Sequence, residues 1–376
     1  MEIPPSLTSA VQTHLLQVLA QHRGWIGFDR FMELVLYTPG LGYYARDSGQ
    51  IGALPATALG AGSDFVTAPV LSPLFGRALA VQVGQALAQT GTREVWEFGA
   101  GTGAMADQLL QALGELVDCY TIVDLSGALR QRQRETLQAF ADKVRWVDAL
   151  PASLRGVVLG NEVIDAMPVK LLARCAGVWH ERGVAVGPDG ALAWQDRPTD
   201  LRPPMDIAGN GDYLTEIHPQ AEAFMRTLVD RLAQGAVLLI DYGFTEAEYY
   251  HPQRAMGTLM CHRAHRMDDR PLLDVGAKDI TAHVNFTGLA LAAQQAFDAA
   301  PETGPWNLLG YTSQARFLIN CGIGPMLDAA DLPQRVMAQK LLLEHEMGEL
   351  FKVIAFCRGA PWHAIGFVQG DRSHTL

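Results

Sequence analysis

Residues 94 to 106 read EVWEFGAGTGAMA: a short apolar run, glycines at alternate positions 99, 101 and 103, then the start of a helical pattern. Glycines so placed let the backbone approach a ligand closely at a helix N-terminus, where N–H groups point outward. Glu97 stands two residues before the first glycine. A carboxylate there repels a pyrophosphate and attracts an ammonium or sulfonium group. Gly99, Gly101 and Gly103 therefore fit the turn of S-adenosylmethionine (SAM) enzymes. Gly99, Gly101 and Ala104 also satisfy the dinucleotide spacing, so an NAD-type ligand stays open on spacing alone. The next apolar run, CYTIVDLS, ends on Asp124 and Leu125, where an acid can take both ribose hydroxyls. The third, WVDAL, carries Asp148 and Ala149, positioned for an adenine amino group.

A second constellation follows in VVLGNEVIDAMPV, where Asn161, Glu162 and Asp165 stand directly behind a buried-looking strand. In an open α/β sheet ligands bind beyond the carboxyl ends of the strands, which makes Asn161 a cofactor-facing candidate and Glu162 and Asp165 catalytic ones. Glu162 and Asp165 are three apart and share a face if the turn is helical. Asp241 and Tyr242 end a later strand, and Glu216 and His218 lead into its helix, adding two more candidates. Asp124, Asp148, Asp165 and Glu216 also have plain readings as helix caps, and lone histidines such as His218 and His283 are more often structural than basic catalysts. Cys261, His262 and His265 lack a second ligand pair, so no metal is expected.

The elements that must position these groups read as alternating strands and helices, which indicates an α/β fold with a doubly wound, mostly parallel sheet. Two amphipathic helices, over 7–22 and FDRFMELVLY, precede any strand, and another runs from about 73 to 88. Tyr43 and Tyr44, in the turn after the second helix, either line a substrate channel, the preferred reading, or staple the N-terminal helices to the core. Residues 46–70 are expected to form a lid over the cofactor. Residues 171–215 read as a β insertion, HPQAEAFMRTLVDRLAQG as a helix, and AVLLIDYG as a core strand. Residues 311–321 and 330–346 look helical, with late strands in LFKVIAFCRG and AIGFVQG. The expected layout is an N-terminal extension over 1–90, a Rossmann-like core over 91–170, the β insertion, core again over 216–245, a substrate region over 246–330 and closing core elements over 331–376.

With 49% hydrophobic and 18% charged residues, the chain of 376 can bury one large core or two moderate ones. Its net charge of -11 disfavours a grip on nucleic-acid phosphates. No apolar run is long enough for a membrane helix, the N-terminus carries no secretory pattern, and five widely spaced cysteines suit a reducing compartment. A cytoplasmic location without membrane insertion is the expectation, with a possible homodimer.

Nine blocks in order, FMELVLYTPGLGYYA, SDFVTAPVLSPLFG, WEFGAGTGAMADQLL, GNEVIDAMPV, TEIHPQAE, IDYGFTEAEYYHPQR, GTLMCH, DITAHVNF and LGYTSQARFL, resemble the MidA family of class I SAM-dependent methyltransferases. The resemblance implies a Rossmann-like methyltransferase core with an N-terminal helical extension, an inserted smaller α+β substrate domain, SAM as cofactor and protein arginine as methyl acceptor. A guanidinium arrives protonated, and carboxylates that clamp it localise its charge and help take the released proton, which suits Glu162 and Asp165. Val70 and Asn285 stand where the family usually carries carboxylates, so target or rate could differ. The alternatives are a SAM-binding assembly factor with little catalysis and an NAD-dependent oxidoreductase.

Overall fold

The computed structural model describes residues 5–45, 67–124, 126–263 and 266–376. Leu125, His265 and most of the expected lid lie outside the described residues. The chain divides into two compact units. One, the core unit, is built from Val66–Ile164, Ala223–Gly243 and Phe286–Leu376; the other from Met1–Phe65, Asp165–Glu222 and Phe244–Asn285. The helix Pro73–Thr90 and residues 286–330 thus cluster with the core, rather than with the extension and the substrate region.

In the core unit the large sheet runs, edge to edge, through Trp306–Ser313, Phe351–Arg358, Leu232–Phe244, Leu154–Asn161, Glu94–Phe98, Cys119–Val123 and Val144–Val147. The last five strands are mutually parallel; the first two join antiparallel. Val157, Val158 and Leu159 are all buried, as expected of a parallel strand covered on both faces. Chain order reverses beside Glu94–Phe98, which pairs with the strands that come next and fourth in the sheet's sequence. Phe98 lies opposite both Val123 and Gly160, so the polar residues that follow these three strands leave the sheet at one edge.

The second unit holds an antiparallel sheet of Trp25–Gly27, Val178–Val186, Lys170–Cys175 and Tyr213–Ile217, with Leu192–Pro198 paired to Val178–Val186. A smaller sheet joins Arg266–Asp268, Met260–Arg263 and Asp279–Thr281. The helices Pro5–Gln21 and Phe28–Tyr37 match their periodicity. A short strand, Trp25–Gly27, separates them, where none was expected because three residues are too few to show a period. Tyr43 is buried among the apolar side chains of this unit, so it packs its helices together instead of lining a channel.

Three further expectations are corrected. The residues Tyr311 to Ser313 belong to the strand Trp306–Ser313, and the helix begins only at Gln314. A register shift between Leu308 and Gly310 breaks the alternation that marks a strand in sequence. AIGFVQG is a 3-10 turn over Ile365–Phe367, not a strand. Its Phe367 ring covers Gly310, where a Cβ would overlap it, and meets Phe317 edge-on at 5.5 Å. The helix expected over 330–346 is shorter, Leu332–Gln339, followed by a single π turn. No helix among the described residues is long and apolar enough to cross a membrane.

Because Phe367 is buried against the sheet, Phe367→Ala should lower unfolding free energy by about 3 kcal/mol in urea titration. A loss well below about 1 kcal/mol would show that this turn is not part of the core.

Candidate active site

The glycine turn follows the strand Glu94–Phe98 and ends at Gly103, which caps the helix Ala104–Leu113 in a left-handed conformation, φ 84°. Gly101, at φ 53°, faces open space where a Cβ would stand. The positive φ at both positions favours glycine, and the open space at Gly101 leaves the turn accessible to a ligand. Two side chains of the helix Gly127–Thr136 hold the turn from behind. Gln133 Nε2 donates to the Gly101 carbonyl at 3.0 Å and the Thr136 hydroxyl to the Thr102 carbonyl at 2.8 Å.

Glu97 is buried in the sheet, where the Tyr120 hydroxyl donates to its Oε2 at 2.6 Å. Burial pushes its carboxyl up to about 7, against the Tyr120 hydrogen bond and with a further push from the charge on Asp124. Tyr120 is a residue that the sequence reading missed. It sits mid-strand in an apolar run and looks like core.

Asp124 ends its strand as expected. Its Oδ1 accepts the Ser126 N–H at 2.9 Å and its Oδ2 accepts Gln133 Nε2 at 2.8 Å. The Asp148 side chain is 82% exposed and forms an ion pair with Arg130. Arg130 also donates to the carbonyls of Asp124 and Val147. The guanidinium thus ties two successive strand ends together, and Asp148 is partly engaged by it. Ala149 follows Asp148 in the same bend.

At the end of Leu154–Asn161, Asn161 Nδ2 donates to Glu162 Oε1 at 2.9 Å. A carboxylate accepts only, so this bond fixes the amide orientation and leaves Oδ1 as the other face. Asn161 Oδ1 is buried with no hydrogen-bond partner among the described residues. Glu162 adopts a left-handed backbone, φ 54°, anchored by its N–H to the Ile240 carbonyl at 2.9 Å. For a glutamate that conformation costs about 1–3 kcal/mol and persists only where the surroundings impose it. The bend abuts the glycine turn: a Cβ on Gly99 would sit 3.1 Å from Val163 Cγ2. Asp241 secures the same segment, its Oδ2 accepting the Ile164 N–H at 2.9 Å.

Asp165, Glu216 and His218 belong to the second unit. Asp165 is buried, and its carbonyl accepts the Ala282 N–H. It acts electrostatically on Tyr37 and Tyr44, whose hydroxyls donate to the Ala166 carbonyl and to Asp279, each at 2.7 Å. Glu216 is fully buried. Oε1 takes the N–H groups of Thr258 and Leu259 at 2.9 and 3.1 Å, and Oε2 the Tyr249 hydroxyl at 2.8 Å. Burial raises its carboxyl while these donors oppose the shift. His218 donates Nε2–H to the His283 carbonyl at 3.0 Å, which places the lone pair on Nδ1. Burial lowers its pKa to about 4, so the ring is neutral near pH 7 and a weak proton acceptor.

In the core unit, then, one sheet edge gathers a glycine turn open to a ligand and the acids Glu97, Asp124 and Glu162, with an orphaned acceptor on Asn161. Three acids suit a cationic, hydroxyl-bearing ligand and oppose a pyrophosphate, so these residues fit SAM. The fold and this edge define a class I methyltransferase domain. Residues 77–303 match the family described as S-adenosyl-L-methionine-dependent methyltransferases, and the chain belongs to that family. A crystal structure of a protein from Burkholderia thailandensis bound to S-adenosyl-homocysteine is 49% identical, superposes with a TM-score of 0.90 and covers 100% of both chains. The protein arginine methyltransferase NDUFAF7 homolog, mitochondrial, of Caenorhabditis elegans is 27% identical, covering 85% of this chain and 79% of that one. Protein arginine methyltransferase NDUFAF7, mitochondrial, of Homo sapiens is 26% identical, covering 86% of this chain and 76% of its own length. SAM, not a dinucleotide, is the cofactor.

A cationic ligand favours ionised Glu97, so cofactor affinity should fall as pH drops through about 7. Isothermal titration with SAM should show a loss of about tenfold between pH 8 and pH 6, and Glu97→Gln should flatten the profile. A pH-independent wild-type affinity would rule out contact between Glu97 and the cofactor's charge.

Proposed function

We propose that this protein methylates arginine side chains of a protein substrate. The observation that carries this reading is the Glu162 carboxylate, held in a strained left-handed bend that packs on the glycine turn, with one oxygen fixed by Asn161. A group that must be aligned to a reacting nitrogen gains from being held this rigidly. The names of the two arginine methyltransferase relatives support the choice of acceptor.

In this reading Gly99, Gly101 and Gly103 let the backbone reach the cofactor, Glu97 meets its ammonium end, and Asp124 takes the ribose hydroxyls. Asp148 and Ala149 flank the adenine, with Arg130 setting how far Asp148 can turn, and Asn161 Oδ1 faces the reactive end. Bound SAM supplies an electrophilic methyl group. Glu162 accepts hydrogen bonds from the incoming guanidinium, draws its positive charge away from the attacking nitrogen and helps take the proton that methylation releases. Asp165 lies in the other compact unit, where its charge acts on Tyr37 and Tyr44. Glu216, whose oxygens are already committed to Thr258, Leu259 and Tyr249, holds residues 257–259 in place. His218 supports the same cluster through His283, and its low basicity argues against proton storage there. A cytoplasmic location remains part of the proposal, although the two named relatives are mitochondrial proteins; fractionation of cells expressing the protein decides it.

Incubation with labelled SAM and cell extract should mark a discrete protein, and acid hydrolysis should release methylarginine. Glu162→Gln should lower turnover about a hundredfold while leaving SAM affinity within a few-fold of wild type. Label on another residue type would refute the arginine assignment, and full activity in the variant would remove Glu162 from the reaction.

A further inference from the structure

Gln133 is buried, with Leu129, in a largely polar helix, GALRQRQRET, and all of its side-chain hydrogen-bonding groups are engaged. Nε2 donates to the Gly101 carbonyl at 3.0 Å and to Asp124 Oδ2 at 2.8 Å, while Oε1 accepts the Trp146 indole N–H at 2.8 Å. Two acceptors on one side and a donor on the other leave a single amide orientation that satisfies every group. The three partners come from the ends of three different strands or the loops after them. Contact is close as well: a Cβ on Gly103 would lie 3.4 Å from Gln133 Cα and 3.5 Å from Thr136 Cβ. With its carbonyls held from this side, the turn keeps its open face at Gly101 for a ligand.

We infer that Gln133 is a positioning residue for the cofactor's ribose: it holds the plane of the Asp124 carboxylate and the glycine turn in one fixed arrangement. The inference rests on reading Asp124 as the ribose acceptor. The Gln133 side chain is engaged by partners within the protein, so its effect on a ligand runs through Asp124 and the turn. It acts by donating one Nε2 hydrogen to the Gly101 carbonyl and the other to Asp124, so that neither acceptor can turn away without leaving a buried polar group unpaired. Thr136 shares only half of this role, because it holds the Thr102 carbonyl and has no bond to Asp124.

The test compares calorimetric binding of S-adenosyl-homocysteine and its 2′-deoxyadenosyl counterpart to the full-length wild type, Gln133→Met and Thr136→Val. The wild type should prefer the ribose compound. Gln133→Met keeps the side-chain length but removes the donors, and should weaken the ribose compound by about 10- to 100-fold and the deoxy compound, which keeps only one of the two hydroxyl contacts, clearly less. Its kcat at saturating SAM should stay near wild type while KM for SAM rises. Thr136→Val should weaken both ligands alike and only a few-fold. If Gln133→Met melts below the assay temperature, Gln133→Glu, which keeps the acceptor for Trp146, is read in the same way at pH 8. Equal weakening of both ligands, or an unchanged preference for ribose, would overturn the positioning role. A wild type that binds both compounds equally would instead refute the Asp124 reading on which the inference stands.

Discussion

A parallel sheet that reverses its strand order beside its first strand cannot close its carboxyl edge. Loops leave the two neighbouring strands in opposite directions, and a crevice remains between them. In this protein the reversal falls between Glu94–Phe98 and Leu154–Asn161, and the glycine turn and the Asn161–Glu162 bend are the two loops that diverge there. Every other feature of the cofactor edge follows from that placement. Asp124 and Asp148 end the strands on one side, and Asp241 braces the bend from the other.

The same edge carries the least comfortable groups of the core unit. Ionised Glu97, with its carboxyl raised to about 7, is disfavoured by about 3 kcal/mol relative to water. Glu162 holds a backbone conformation that glutamate seldom adopts, and Asn161 Oδ1 is buried without a partner among the described residues. These costs are tolerated because the sheet beneath them is rigidly packed, with Val157, Val158, Val237 and Leu238 buried. A ligand carrying positive charge relieves the first cost, and a donor or an electron-poor methyl relieves the last. Local discomfort on a stable scaffold is the physical signature of a site preorganised for a partner.

Much of this was legible in the chain. The apolar runs ending on Glu97 and the first glycine, on Asp124 and on Asn161 gave both the parallel strands and the candidate acids, because a buried parallel strand and a polar ligand edge write opposite compositions side by side. Elements whose signal is not local escaped. Trp306–Ser313 carries a register shift that hides its alternation, and Ile365–Phe367 looks strand-like although its apolar residues serve to cover Gly310 and Phe317. Gln133, Tyr120 and Arg130 escaped for another reason. Their partners lie on strands or turns 9 to 32 residues away in the case of Gln133, and no spacing rule predicts which polar residue of a helix turns inward. Glu216 was visible as an acid before a helix, but the donors that occupy it come from residues 249, 258 and 259, beyond the reach of any short motif.

The most direct test of the central claim, that the Glu97, Asp124 and Glu162 edge holds the cofactor with its reactive end toward Glu162, is a crystal structure of this protein with S-adenosyl-homocysteine. The expected result has the ribose hydroxyls on Asp124, the amino group toward Glu97, and the sulfur at the end of the ligand nearest the Asn161–Glu162 bend. A ligand seated on the glycine turn with its sulfur pointing away from that bend would contradict the account.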